Sequence, residues 1–235
     1  MKQAIITAVL TGTFVVSPAF STFTGFDANQ LPIPQIDPPI QPAGYAFSIW
    51  GLIYAWLIVS AVFGLAYRAN DANWNRARLP LIASLAIGTP WLYAATQNAI
   101  LATIMIIAMA VTAIWAMLRA PKEQDRWLLQ APIGLYAGWL TAASCVSLGS
   151  TAAGYGIVFG SLGWAYAGIL IALAVALWVY SKRPTAPEYL FTVIWALVGI
   201  IIANMDNQMG VTTLAAAGIV ILLTAGVMMP RRLAV

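Results

Sequence analysis

Apolar residues fall in eight long blocks along this chain, separated by short polar punctuation. A helix that crosses the hydrocarbon of a bilayer needs roughly 20 mainly apolar residues. Blocks of that size run at about 3–20, 45–67, 79–97, 99–118, 127–148, 157–180, 187–204 and 211–229. None has Asp, Glu, Lys or Arg in its interior, apart from Glu188 at the mouth of the seventh. The third and fourth blocks almost touch. They divide at Thr96-Gln97-Asn98, because one helix of about 40 residues would be twice as long as a bilayer is thick. The pattern predicts an all-α protein, a polytopic transmembrane helix bundle of about eight spans.

The polar punctuation then orients the bundle. The cations are Lys2, Arg68, Arg76, Arg78, Arg119, Lys122, Arg126, Lys182, Arg183, Arg231 and Arg232. With eight spans and a cytoplasmic N-terminus, all of them fall on the cytoplasmic side. The opposite loops carry only acidic charge, at Asp27, Asp37 and Asp206. This is the segregation expected of an integral membrane protein under the positive-inside bias. It predicts a bacterial inner-membrane protein with both termini in the cytoplasm. A second reading concerns residues 1–21. Met1-Lys2, an apolar run and Ser17-Pro18-Ala19 also resemble a cleavable signal peptide, and cleavage would leave seven spans.

Composition agrees and narrows the chemistry. The chain has 235 residues, 62% hydrophobic and 8% charged. Soluble domains are about 45–50% apolar and about 25% charged. A soluble fold, a disordered chain and a nucleic-acid-binding domain are thereby excluded, and the net charge of +4 reads as membrane orientation. Without any histidine, the chain offers no His-ligated haem or zinc and no Ser–His or Cys–His nucleophile pair. Cys145 is the only cysteine, so no internal disulfide forms and no metal site is expected. The lysines lie outside the spans, so none holds retinal. Intramembrane charges mark proton and ion paths, and the spans lack them. The dispersed carboxylates argue against paired acid–base catalysis, so no enzyme is expected. The mixed-charge loop Arg119–Arg126 reads as a solvated connector. Glycines in 149–163 read as close helix packing through small residues.

Aromatic placement is more informative. The chain has 10 Trp, 9 Tyr and 8 Phe. Trp74, Trp127, Tyr180 and Tyr189 sit near span ends, as interfacial belts require. A smaller set lies deeper. Phe47, Trp50 and Tyr54 share one face of the second span by their i, i+3, i+7 spacing. Trp91 follows Pro90 on the third, and Tyr136 and Trp139 are i, i+3 on the fifth. At 1.5 Å per residue, Trp50, Trp91 and Trp139 lie roughly 8, 9 and 13 Å below the outer ends of their spans. Core packing explains such rings. So does an aromatic cavity for a flat apolar ligand. Above them runs Ser21–Gly44, with Pro32, Pro34, Pro38, Pro39 and Pro42. These prolines predict a semi-rigid connector or a lid over the ends of spans two, three and five, with Leu31, Ile33 and Ile36 suited to packing against helix ends.

At the second span the sequence reads Pro42-Ala-Gly-Tyr45-Ala-Phe47-Ser48-Ile-Trp50-Gly-Leu-Ile-Tyr54. This resembles the tryptophan-rich sensory protein family (TspO/MBR, the translocator protein family). There a proline-rich loop leads into a helix patterned Trp/Tyr-x-Phe-x-x-x-Trp-x-x-x-Tyr. Gly88-Thr-Pro90-Trp91 resembles the family's Asn-x-x-Trp helix, with Gly88 in the place of Asn. Leu128-Leu129-Gln-Ala-Pro132 through Tyr136 and Trp139 resembles its Leu-Leu-x-Pro helix. Ser147 stands where many relatives have Asn. The resemblance covers about residues 1–150 and divides the chain into a five-helix core at 1–150 and three added helices at 151–235.

The resemblance implies a pocket in the outer half that binds a tetrapyrrole, a sterol or another flat apolar molecule. Phe47, Trp50, Tyr54, Trp91, Tyr136 and Trp139 would bind it, and the lid would include Pro38, Pro39, Pro42 and Tyr45. It also implies a role in tetrapyrrole homeostasis, sensing or transport. A porphyrin or haem would be a ligand, with no covalently bound cofactor. The alternatives are a small-solute transporter and a structural or assembly subunit of a larger membrane complex, such as a pigment–protein complex. Expected partners are the lipid bilayer and a hydrophobic small molecule, with a homodimer or a larger complex as the assembly and no nucleic acid.

Overall fold

The computed structural model describes residues 1–21, 25, 26 and 28–232. Asp27 of the charge argument and the C-terminal Val235 lie outside the described residues. Among the described residues there are eight α-helices and no strand. They are α1 (Lys2–Val16), α2 (Ile49–Tyr67), α3 (Ala72–Gln97), α4 (Ala99–Arg119), α5 (Gln130–Gly154), α6 (Ser161–Lys182), α7 (Pro187–Asn204) and α8 (Met209–Arg232). Seven of the segments are long and apolar enough to cross a membrane. The exception is α1, whose 15 residues span only about 22 Å. A 3₁₀ turn at Ser17–Ala19, built around Pro18, prolongs it.

Local chemistry sets the helix boundaries. Asn98, in extended conformation, is the single residue between α3 and α4, and its Oδ1 accepts from Leu101 N at 2.9 Å. That is an asparagine N-cap, and the division expected at Thr96-Gln97-Asn98 falls there. The start of α3 differs from expectation. It begins at Ala72, not near 79, because the Asp71 carboxylate caps it by accepting from Asn73 N at 2.8 Å and Trp74 N at 3.1 Å. Arg76 and Arg78 therefore sit within the opening turns of α3. Likewise α5 starts at Gln130, and Leu128 and Leu129 belong to the preceding turn.

The chain is organised around α5. That helix packs against α2, α4, α6 and α7, while α1 closes on α2 and α3, and α8 on α6 and α7. Nearly all of α5 is buried, which its small residues allow. A Cβ at Gly138 would stand 2.2 Å from the Tyr189 carbonyl oxygen and 2.1 Å from Thr192 Oγ1, so the close approach of α5 and α7 requires glycine there. The expected division after residue 150 falls inside α5, four residues before its end at Gly154.

The cationic end is tightly bonded. The N-terminal amine donates to Asn70 Oδ1 at 2.6 Å. Arg78 is buried and donates to the carbonyls that end α2, at Gly64 (2.7 Å) and Arg68 (2.9 Å). Arg183, also buried, donates to the carbonyls of Leu118 and Ala120 at the end of α4. Arginine thus satisfies helix C-terminal carbonyls and complements the dipole there. Arg126 pairs with Glu188 at 2.6 Å.

The loop expected to be a plain solvated connector is part of this structure. Asp125, at φ 50°, accepts from Arg68 Nε at 2.7 Å and from Trp74 Nε1 at 2.9 Å. Gln124 donates to Asp71 at 2.7 Å. The Arg68 hydrogen bond holds the Asp125 carboxyl below the usual carboxylate range, against the opposing effect of burial. Burial pushes Asp71 up, but hydrogen bonds from Trp74 N, Gln124 and Asn73 N outweigh it and leave the carboxyl lowered.

Candidate functional site

The opposite half of the bundle holds a cavity of about 360 Å³. Its walls come from α1, α2, α3, α4, α5, α7 and the long loop. The second-span aromatics enter it as their spacing requires. Phe47 lies in a 3₁₀ run-in, Gly44–Ser48, that leads into α2. Trp50 and Tyr54 stack at 5.2 Å with 25° between planes. Trp139 on α5 meets Trp50 edge-on at 6.2 Å and Phe47 at 5.8 Å. Trp91 lines the cavity from α3 and donates its Nε1 to the Ala102 carbonyl at 2.9 Å, tying α3 to α4. Edge-to-face contacts of this kind are favourable beyond simple burial.

Of the six aromatics expected on the wall, Tyr136 is placed elsewhere. It is fully buried behind Phe14 and Trp50, at 5.6 and 6.3 Å, and is absent from the cavity lining. Its hydroxyl lies 3.0 Å from Ser84 Oγ, which donates to the Met109 carbonyl. Tyr136 shares a face of α5 with Trp139 but lies about one turn further from the helix's C-terminal end at Gly154. At that level the space is taken by Phe14.

Phe14 was not expected at the site. It projects from α1 and meets Trp50, Tyr54 and Tyr136 edge-on at 5.9, 5.5 and 5.6 Å. A Cβ at Gly88 would stand 2.7 Å from its ring. Glycine at position 88 therefore makes the room that Phe14 fills. Phe14 is the lone aromatic of α1, a signal visible in sequence but without an address. Ser147 and Ser150, one turn apart on α5, also line the cavity, as do Gln41 and Phe26.

The four residues expected in the lid have different surroundings. Pro42 lines the cavity and is seated against Gly199 of α7. Pro38 is buried, and the Pro39 carbonyl accepts from Asn204 Nδ2 at 2.9 Å. Tyr45 points away from the cavity, 41% exposed and edge-on to Trp195 at 5.5 Å. The apolar anchors are Leu31 and Ile40. Leu31 is seated at Gly154, and Ile40 against Gly149 and Gly168. Ile33 and Ile36 are exposed, at 51% and 78%. The loop is therefore bonded to α5, α6 and α7, and to α3 through Gln30 and the Ala95 carbonyl at 3.1 Å. The glycines of 149–168 receive loop side chains as much as neighbouring helices.

The described residues contain no group of His, Cys, Asp or Glu that could hold a metal ion. Cys145 is buried, outside the aromatic cavity, among α5, α6 and α7. Comparison with known proteins gives one match, to the family described as TSPO-like protein, over residues 3–228. Neither the curated proteins nor the solved structures give a match. The matched stretch runs from α1 through α6 and α7 into the last turns of α8, well past residue 150. An all-helical membrane bundle with Trp50, Tyr54, Trp91 and Trp139 gathered around one cavity accords with that match, and the chain belongs to the TSPO-like protein family.

Proposed function

We propose that this chain is a membrane receptor or carrier, not an enzyme, and that it takes a flat hydrophobic ligand of tetrapyrrole or sterol type into the aromatic cavity. One observation carries the reading. Rings from four helices, Phe14, Trp50, Tyr54, Trp91 and Trp139, converge on a single cavity of about 360 Å³. That volume suits a small ligand, since such sites measure about 300–1,000 Å³ and are mostly apolar. A role in sensing or in tetrapyrrole homeostasis follows from such binding. The clustering of the cations at one end, with the N-terminus, supports a cytoplasmic address for both termini in a bacterial inner membrane. The packing of α1 onto α2 and α3, with Phe14 in the ring cluster, supports its retention in the working protein.

Tryptophan-fluorescence titration with protoporphyrin dimethyl ester, metal-free and metal-loaded, tests the reading. Saturable quenching is expected, with similar affinity for both forms, because the chain has no histidine to ligate a metal. The double variant Trp50→Ala, Trp139→Ala is expected to lose at least about tenfold in affinity, the effect of about 1.4 kcal/mol. Equal affinity in the variant would return these rings to ordinary core packing.

A further inference from the structure

We infer that the groove between the opening turns of α1 and α3 is a binding site for an anionic phospholipid, held through its phosphate by Lys2 and Arg76. The inference rests on the proposed cytoplasmic address of that end and on the retention of α1. The groove measures about 540 Å³, with Met1, Lys2 and Gln3 on one wall and Ala72, Asn75 and Arg76 on the other. Both cations are exposed, and neither side chain has a hydrogen-bond or ion-pair partner among the described residues.

Other cations at this end are engaged inside the protein. Arg68 pairs with Asp125 and Arg126 with Glu188, while Arg78 and Arg183 donate to helix-end carbonyls. Asp71, five residues before Arg76, is occupied in capping α3 and in accepting from Gln124. No carboxylate lines the groove. Two cations beside one groove repel each other, and an anion between them removes that cost. A phosphate is such an anion. A choline headgroup adds a cation of its own, so a lipid with net negative charge is the better fit.

Depth identifies the source of the phosphate. One turn further along each helix the exposed side chains are apolar: Ile5 and Ile6 after Lys2, and Leu79 after Arg76. Cations just outside a lipid-facing apolar surface stand at the level of the headgroups. A phospholipid seated there lays its chains on Ile5, Ile6 and Leu79 while its phosphate meets the cations. Free phosphate gains only the second contact. The bound lipid ties α1, the short helix that brings Phe14 to the ring cluster, to α3.

Native mass spectrometry of the full chain in a neutral detergent, titrated with phosphatidylglycerol or phosphatidylcholine, tests the site. Phosphatidylglycerol is expected to bind at least tenfold tighter. The double variant Lys2→Gln, Arg76→Gln is expected to lose that preference, at least about tenfold in affinity. Arg76→Lys, which keeps the charge, should retain most of it and so separates lost charge from lost fold. Lys122→Gln, Lys182→Gln removes two exposed cations elsewhere at the same end and should change affinity less than about twofold. An equal loss in that second pair would reduce the effect to overall charge and overturn the site. So would a Lys2→Gln, Arg76→Gln variant that binds like wild type. Displacement of the lipid by millimolar glycerol phosphate would overturn the lipid as the source of the phosphate. An intact mass lacking residues 1–21 would remove the retention of α1, and this inference with it.

Discussion

Two buried indoles at opposite ends of the bundle have contrasting surroundings. At the cationic end, Trp74 donates to the Asp125 carboxylate at 2.9 Å, and Arg78 lies 5.3 Å from its ring. In the other half, Trp139 is equally buried, yet its N–H meets no acceptor, and a cavity lies beside it. The first end satisfies its polar groups with charge: Arg78 and Arg183 on helix-end carbonyls, Arg68 with Asp125, Arg126 with Glu188. The second half uses rings and neutral hydroxyls and leaves space. Polar groups satisfied inside the protein give rigidity. A cavity walled by rings gives a flat apolar ligand room to pack. The cationic end thus carries stability, and under the proposed function the aromatic half carries recognition.

The largest expected effect comes from breaking the cationic end. Arg78→Met leaves the Gly64 and Arg68 carbonyls without their donor and should cost about 3 kcal/mol. Denaturant titration in micelles measures it, and ligand affinity should stay within twofold of wild type. A large loss of affinity in this variant would erase the proposed separation of roles.

Next is the seam between α5 and α7, which both halves share. Gly138→Ala drives a methyl group into the Tyr189 carbonyl and Thr192. It should destabilise by about 2 kcal/mol, as overpacking does, and should also weaken binding, because α5 carries Trp139. Stability unchanged within about 0.5 kcal/mol would show that the helices part without cost.

The smallest effect is in acid. Asp71 and Asp125 have carboxyls lowered in the folded state. A lowered carboxyl stabilises the fold fully above its unfolded value, about 3.9, and the contribution is lost as pH falls through the lower folded value. Stability should therefore be level across neutral pH with respect to these groups and should fall below about pH 4. Asp125→Asn should flatten part of that acid limb. An acid limb identical in the variant would remove Asp125 from the account.

Much of the fold was legible because a bilayer imposes length and charge rules. The helix division at Asn98 and the gathering of cations at one end follow from them. The opening of α3 was not, because Asp71 caps it eight residues before the apolar block begins. The cation side chains were read only as orientation. Their second use, on the carbonyls of other helices, depends on contacts between residues as far apart as Arg183 and Ala120. At the site, spacing placed Phe47, Trp50, Tyr54 and Trp139 correctly on shared faces. Spacing could not separate Tyr136 from Trp139, since α5 is buried nearly all round and only depth distinguishes them. Phe14 required knowing that α1 packs beside Gly88. Of the three loop aliphatics that polarity singled out, Leu31 is seated at Gly154, whereas Ile33 and Ile36 are largely exposed; Ile40, which was not singled out, is seated against Gly149 and Gly168.

The comparison of the two indoles can be read directly. Indole N–H resonances of the chain labelled with ¹⁵N-tryptophan report each donor, and Trp74→Phe and Trp139→Phe assign the two. On adding metal-free protoporphyrin dimethyl ester, the Trp139 N–H resonance should shift as the ligand fills the cavity beside its ring, while Trp74, bonded to Asp125 at the other end, stays in place. A saturating titration that leaves the Trp139 resonance unmoved, or that shifts Trp74 instead, would contradict the account.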